Sequence, residues 1–277
     1  MLRLIDARTD APAEVRPARP GLLRICAHAP GPGAGAADLT GLRVLLVADL
    51  LARAAELGNL QAITVLAFGA ADAAAAADGT DGAATAAPPA ERTGFEQAAE
   101  ALGTHPPVAR ASAADARAAI GGPIDVHLIS DPGQLGRDAA DGLAVPVGAA
   151  RLTAPDANGA DAAAADPSAV RFALLSVPYD QPADLTEPVL AEAARTVRRW
   201  RRQVADWAES PSKPMPPDRV AAIQATFGDL DTVRLLAVVG DLAADTGVPV
   251  GAKFETSLYA DRLLSLDLPA DIGKPRD

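Results

Sequence analysis

Apolar positions along this chain follow two rhythms. From Thr186 to Trp207, the residues Ala193, Val197, Trp200, Val204 and Trp207 recur at steps of four and three, which gathers them on one face of a helix. Thr186 stands where an N-cap belongs, Glu187 suits the positive helix start, and Pro188 lies in the first turn, where its missing N–H costs little. After a proline-rich loop at 211–217, further helices are predicted near 219–227, 232–246 and 252–266. Towards the N-terminus the apolar residues run together instead. Residues 2–6 and 22–27 read as short strands, joined by a link that Pro12, Pro17 and Pro20 hold extended. Residues 59–68 and 124–130 read as buried strands, and 145–147 as a further small one. Asp38 or Thr40 can cap a helix that runs to Gly58, and shorter helices closed by glycine or a Gly-Gly pair are predicted at 91–103 and 112–120. The run 170–177 fits a short helix or a buried strand by pattern alone.

Strand, glycine-rich loop, helix and strand in that order make a βαβ unit, whose crossover is right-handed. The expected fold is therefore α/β: a Rossmann-like doubly wound parallel sheet over residues 1–153, followed by a C-terminal α-helical bundle over 167–277. Residues 69–90 are low in complexity and offer little to bury, and 154–166 form a second such stretch that reads as the linker between two lobes. No fixed-period repeat runs through the chain.

Composition narrows the chemistry. The 277 residues carry a net charge of −11, which opposes nonspecific nucleic-acid binding but leaves room for a local basic site. Such a site exists on the tryptophan helix, where Arg195, Arg198, Arg199, Arg201 and Arg202 crowd the surface away from the apolar face. They either solvate that surface or meet an RNA or an acidic partner. Aromatic residues are only 3% of the chain, so the core must rest on Leu, Val, Ile and Ala. No apolar run reaches the roughly 20 residues of a membrane span, and the charged N-terminus lacks a signal-peptide core, so a cytoplasmic protein without membrane contact is expected. The richness in Ala, Arg, Asp, Gly and Pro is of the kind that GC-rich genomes, such as those of actinobacteria, encode. Cys26 is the single cysteine, which excludes an internal disulfide and a cysteine-rich zinc cage.

The order of segments resembles cysteinyl-tRNA synthetase and its relative, the cysteine ligase of mycothiol biosynthesis. LLRICAHAP looks like that family's first strand and its Cys-Gly-Pro turn, and IDVH at 124–127 like the strand before a Gly-Gly-rich turn. ERTGFEQAAEALGTHPP at 91–107 is similar to a family helix, DPSAVRFALLSVPYDQPADLT to the start of the family's helical bundle, and FGDLDTVRLLAVVGDLA to a later bundle helix. The resemblance implies a class I catalytic lobe followed by an anticodon-binding-type bundle, and it favours helix for 170–177.

The departures fall on the chemistry. Where the family has its ATP-gripping His-x-Gly-His turn, this chain has Leu39, Thr40, Gly41 and Leu42, with Asp38 beside them. Cys26 matches a family zinc ligand, but the His-His-Glu-Asn-Glu segment that supplies further ligands is replaced by ISDPGQLGR. The Lys-Met-Ser-Lys-Ser loop matches at best RLTAP, of which Arg151 remains. No metal is expected on this reading. Cys26 and His127 fit buried strand residues, His28 fits a surface turn, and His105, between Thr104 and Pro106, fits a structural or exposed position. Two functions from different classes stay open. One is a non-catalytic, synthetase-like binding or regulatory protein, a pseudoenzyme whose partner is a protein, an adenylate-like ligand or tRNA. The other is a reduced ligase that activates cysteine or another carboxylate with ATP and magnesium. Its candidate pocket would comprise Cys26, His28, Gly31, Gly33, Thr40, Gly41, Arg43, His127 and Arg151, with Gly31 and Gly33 offering backbone N–H groups to phosphate.

Overall fold

The structure, a computed structural model, describes residues 2–29, 38–68, 95, 97–135, 141–153 and 166–275. The chain starts with an antiparallel hairpin of β1 (Arg3–Asp6) and β2 (Ala11–Glu14), so the proline-bearing link is partly a strand. The central sheet then forms from β3 (Leu22–Ala29), β4 (Gln61–Phe68), β5 (Ala109–Ser112), β6 (Val126–Ile129) and β7 (Leu143–Pro146). Every pairing is parallel and the spatial order is β5-β4-β3-β6-β7. This is the doubly wound, Rossmann-like arrangement expected from the sequence, and its strand order reverses between β3 and β6. β5 is invisible in sequence because ARAS carries none of the β-branched or aromatic residues that mark a strand.

The first crossover helix, α1 (Thr40–Leu57), lies on one face of the sheet, with Val44, Leu45, Val47, Leu51 and Ala55 packed against Ile25, Ala27, Leu66 and Leu128. The opposite face carries Cys26, Val65, Ala67 and Ala111, covered by Ala116 and Ile120 of the short helix α2 (Ala116–Ala119). The expected helix from Ser112 is therefore reduced to one turn, because residues 109–112 are taken into the sheet. Two further strands, β8 (Ala150–Thr153) and β9 (Ala183–Thr186), pair in parallel with each other. Arg151, Leu152 and Thr153 of RLTAP thus lie in a strand, while Ala154 and Pro155 lie outside the described residues.

Residues 170–177 resolve to helix in α3 (Pro167–Leu175), capped by the Asp166 carboxylate, which accepts a hydrogen bond from the Ser168 N–H at 2.9 Å. The tryptophan helix is α4 (Glu187–Trp207), followed by α5 (Pro217–Asp229), α6 (Thr232–Ala244) and α7 (Val250–Leu264). On α4, Ala193, Val197, Trp200 and Val204 are buried, and Trp200 meets Phe172 edge-on at 5.5 Å between ring centres. The C-terminal helical bundle is thus present. One apolar core runs from Leu2 through the α1 face of the sheet to Leu268, and a buried ion pair stitches the two halves together. Arg171 of α3, 1% exposed, reaches Asp49 of α1 at 3.1 Å and donates to the carbonyls of Leu102 and Leu264. Among the described residues, no helix is long and apolar enough to cross a membrane.

Candidate functional site

The start of α1 is where this topology would offer a nucleotide its phosphate site, since a helix N-terminus presents unpaired N–H groups and a positive dipole end. Here the chain's own groups engage its first residues. The Asp38 carboxylate accepts from the Thr40 N–H at 2.8 Å. The Leu39 N–H donates to the Ala150 carbonyl at 2.9 Å, and the Thr40 hydroxyl oxygen accepts from the Ala150 N–H at 3.1 Å. Thr40 and Gly41 are buried, and a Cβ on Gly41 would meet the Phe95 ring at 3.2 Å.

Arg43, a candidate pocket residue, turns its guanidinium to backbone carbonyls. Its guanidinium is 1% exposed and donates to the carbonyls of Gly148, Ala149 and Gln181 through one nitrogen and to those of Val177 and Pro178 through the other. Burial draws its pKa down to about 10, against the pull of Asp180, so it remains a cation at neutral pH. Its charge holds a loop to a loop. Arg151 lies exposed on β8 and forms an antiparallel backbone bridge with Asp38, which brings it beside the α1 start but not into a pocket. Gly31 and Gly33 lie outside the described residues, as do residues 69–90.

The structure gathers three sequence-predicted residues that the chain order keeps apart. Cys26 and His28 are two apart on β3 and so share a face, and the β3–β6 register sets Cys26 opposite His127. All three are buried, and their ligand atoms lie within 4.8 Å of one another. His28 Nε2 lies 2.9 Å from His127 Nδ1, while His127 Nε2 faces the Asp141 carbonyl at 3.1 Å. A carbonyl can only accept, so neutral His127 keeps its proton on Nε2 and turns a bare Nδ1 towards His28. Burial lowers the pKa of both imidazoles, His28 to about 4 with the neighbouring ring adding to the effect, and pushes the Cys26 thiol up to about 12. His28 is therefore not a surface turn residue. The C-x-H spacing on a strand was the signal available in sequence; His127 could be added only by knowing that β6 lies next to β3.

The arginines of α4 divide. Arg201 is half-buried and donates to the carbonyl of Leu266 at 2.6 Å and to the Ser168 hydroxyl at 2.8 Å, so it is a structural clamp. Arg195, Arg198, Arg199 and Arg202 are exposed at positions three, four and seven apart, on the side opposite Val197 and Trp200. Glu192 pairs with Arg195 at 2.6 Å. Two cavities, of 490 and 250 Å³, lie elsewhere. The larger is lined by Tyr179, Asp180 and Asp229, the smaller by Glu100, His105 and Arg110.

Sequence comparison finds partial matches to cysteine-specific ligases. The chain is 35% identical over 82 residues to a cysteine–tRNA ligase of Xylella fastidiosa, a match covering 30% of this chain and 17% of that protein. It is 36% identical over 111 residues to the L-cysteine:1D-myo-inositol 2-amino-2-deoxy-alpha-D-glucopyranoside ligase of Streptomyces griseus, covering 37% of this chain and 25% of that enzyme. The matches thus span a quarter or less of these relatives. A solved structure assigned to an arginyl-tRNA synthetase of Campylobacter jejuni aligns over 91% of both chains at 11% identity and a TM-score of 0.46, a likeness too loose to bear on function. No family model matches the chain.

Proposed function

We propose that this synthetase-like protein does not form an adenylate and acts instead as a binding partner, through the exposed arginine face of α4. The observation that carries the reading is the engaged start of α1: the Asp38 carboxylate accepts from the Thr40 N–H, β8 bonds to Leu39 and Thr40, and Arg43 is committed to backbone carbonyls. A triphosphate brought there would meet a carboxylate before it met a donor, and anion stabilisation needs preorganised donors or cations. Arg195, Arg198, Arg199 and Arg202 form a basic stripe on an acidic molecule, which suits a polyanionic partner such as tRNA.

Two measurements test the reading separately. ATP–pyrophosphate exchange with cysteine should give no signal above a protein-free control; exchange at enzymatic rates would overturn the non-catalytic assignment and restore the ligase. Fluorescence anisotropy with labelled tRNA should show binding that weakens with salt, and Arg198→Glu with Arg202→Glu should lower the affinity and shallow the salt slope by about 1 per lost phosphate contact. Unchanged affinity in that double variant would remove α4 as the contact surface.

A further inference from the structure

Asp49 and His105 form a pair that the proposed function leaves unused. His105 Nδ1 lies 2.7 Å from an Asp49 oxygen, and the His105 backbone N–H donates to that same oxygen at 3.1 Å. Burial alone would raise the Asp49 pKa, but Arg171 and Arg53 hold it below its ordinary value, so the group is a carboxylate and can only accept. Neutral His105 therefore carries its proton on Nδ1 and keeps a bare Nε2, which has no partner among the described residues. Its side chain is 63% exposed and lines the 250 Å³ cavity.

We propose that this cavity binds a small neutral aromatic ligand of the phenol class, whose ring packs on the apolar wall and whose hydroxyl donates to His105 Nε2. The inference goes beyond the proposed function and stands whether or not the protein binds a polyanion or activates an amino acid. Asp49 stands about two and a half turns along α1 from Thr40, so the pair is set apart from the helix start.

The lining selects that ligand. Leu45, Leu66 and Ala99 are buried and Phe95 is half-buried, which gives the cavity an apolar wall. An apolar cavity of about 150 Å³ takes up benzene, so 250 Å³ accommodates a ring with a substituent. Glu100 and Arg110 add one charge of each sign, which favours neither an anion nor a cation. The Thr104 hydroxyl donates to the Ala99 carbonyl at 2.8 Å, so its proton is already engaged. An imidazole whose tautomer is fixed by a buried carboxylate offers Nε2 as an acceptor, and an acceptor selects a donor. Phenol has that donor on a ring; its methyl ether, anisole, has the ring without the donor.

The experiment titrates the full chain, carrying nitrogen-15 histidine, with phenol and separately with anisole in mildly alkaline buffer. Long-range proton–nitrogen spectra distinguish a protonated ring nitrogen from a bare one, and the chain has only three histidines to assign. The expected result is a protonated Nδ1 and a bare Nε2 in His105, with the Nε2 signal moving to saturation as phenol binds at about 1 mM, an affinity in keeping with so small a ligand. Anisole should bind about fivefold more weakly or worse, the difference one hydrogen bond makes. In ligand saturation-transfer measurements, Ala99→Leu, which fills the cavity, should abolish binding of both, and His105→Ala should bring phenol down to the affinity of anisole. Equal affinity for the two ligands, an Nε2 signal that does not move, or binding that survives Ala99→Leu would each overturn the proposal. Absence of phenol binding at ten times the expected concentration would do the same. A preference for phenol that persists in His105→Ala would give the hydroxyl to Glu100 and overturn the role of His105. The wild-type comparison of phenol with anisole decides even where a variant fails to fold.

Discussion

Removing the Asp49 carboxylate would strand Arg171, a guanidinium with 1% exposure, beside a neutral group. Asp49 accepts from Arg171 at 3.1 Å, from Arg53 at 2.8 Å and from the His105 N–H at 3.1 Å. Asp49→Asn should therefore cost about 3–5 kcal/mol in chemical denaturation, whereas an apolar pair at positions 49 and 171 should recover much of that loss. The sign of the pH effect follows. Burial alone would raise the Asp49 pKa, but Arg171 and Arg53 outweigh it and hold the carboxyl below its ordinary 3.8. The stabilisation is complete well above that value and is lost as pH falls through the lower folded value. A melting-temperature profile against pH should show this acid loss in the wild type and lack it in Asp49→Asn. Sequence shows only that Asp49 and Arg53 stand four residues apart on a helix and that Arg171 lies in an apolar run. A charge's partner 122 positions away is set by tertiary packing, which periodicity does not encode.

Elements were far more legible than their contacts. The apolar stripe of α4 predicted its buried face, because period and packing agree when one side of a helix meets a core. Trp200→Ala should lower stability by about 3–5 kcal/mol, read from denaturant midpoints, since Trp200 is buried against Phe172. On the same helix, Arg198→Glu should change stability by less than about 0.5 kcal/mol, because that side chain is exposed and makes no buried contact. Where sequence reading failed, the elements were four-residue strands: β2 as APAE and β5 as ARAS, whose residues have no strand preference, and β8 and β9, too short to show a period. Their pairing comes from neighbours already in place. Glycine 251 at the start of α7 marks another contact invisible in sequence: a Cβ there would collide with the Pro211 carbonyl oxygen. Gly251→Ala should cost about 1–3 kcal/mol, as overpacking does, despite alanine's better helix propensity.

At the scale of the molecule, the boundary expected at 154–166 separates stretches of sequence more than it separates structure. β8 pairs with β9 across it, Arg171 reaches Asp49 across it, and the apolar core takes residues from both sides. Thermal unfolding followed by far-ultraviolet dichroism and by tryptophan fluorescence should therefore give coincident transitions, although both tryptophans lie in the C-terminal half. Two separated transitions would show lobes that melt independently. The Rossmann-like class and the helical bundle were readable because the order of strands and helices restricts topology. The site was readable only as a set of residue types, since proximity between β3 and β6 belongs to the folded sheet.

Arg43 sets a direction on how this protein can change. Its guanidinium clasps residues 148–149 to 177–181, so any mutant that turned it towards a phosphate would open the seam between those loops. Imidazoles grafted at positions 39 and 42 would supply the outline of an ATP-gripping turn while leaving this cation unavailable. A phosphate ligand at position 43 would have to come with a replacement clasp, which no single substitution supplies.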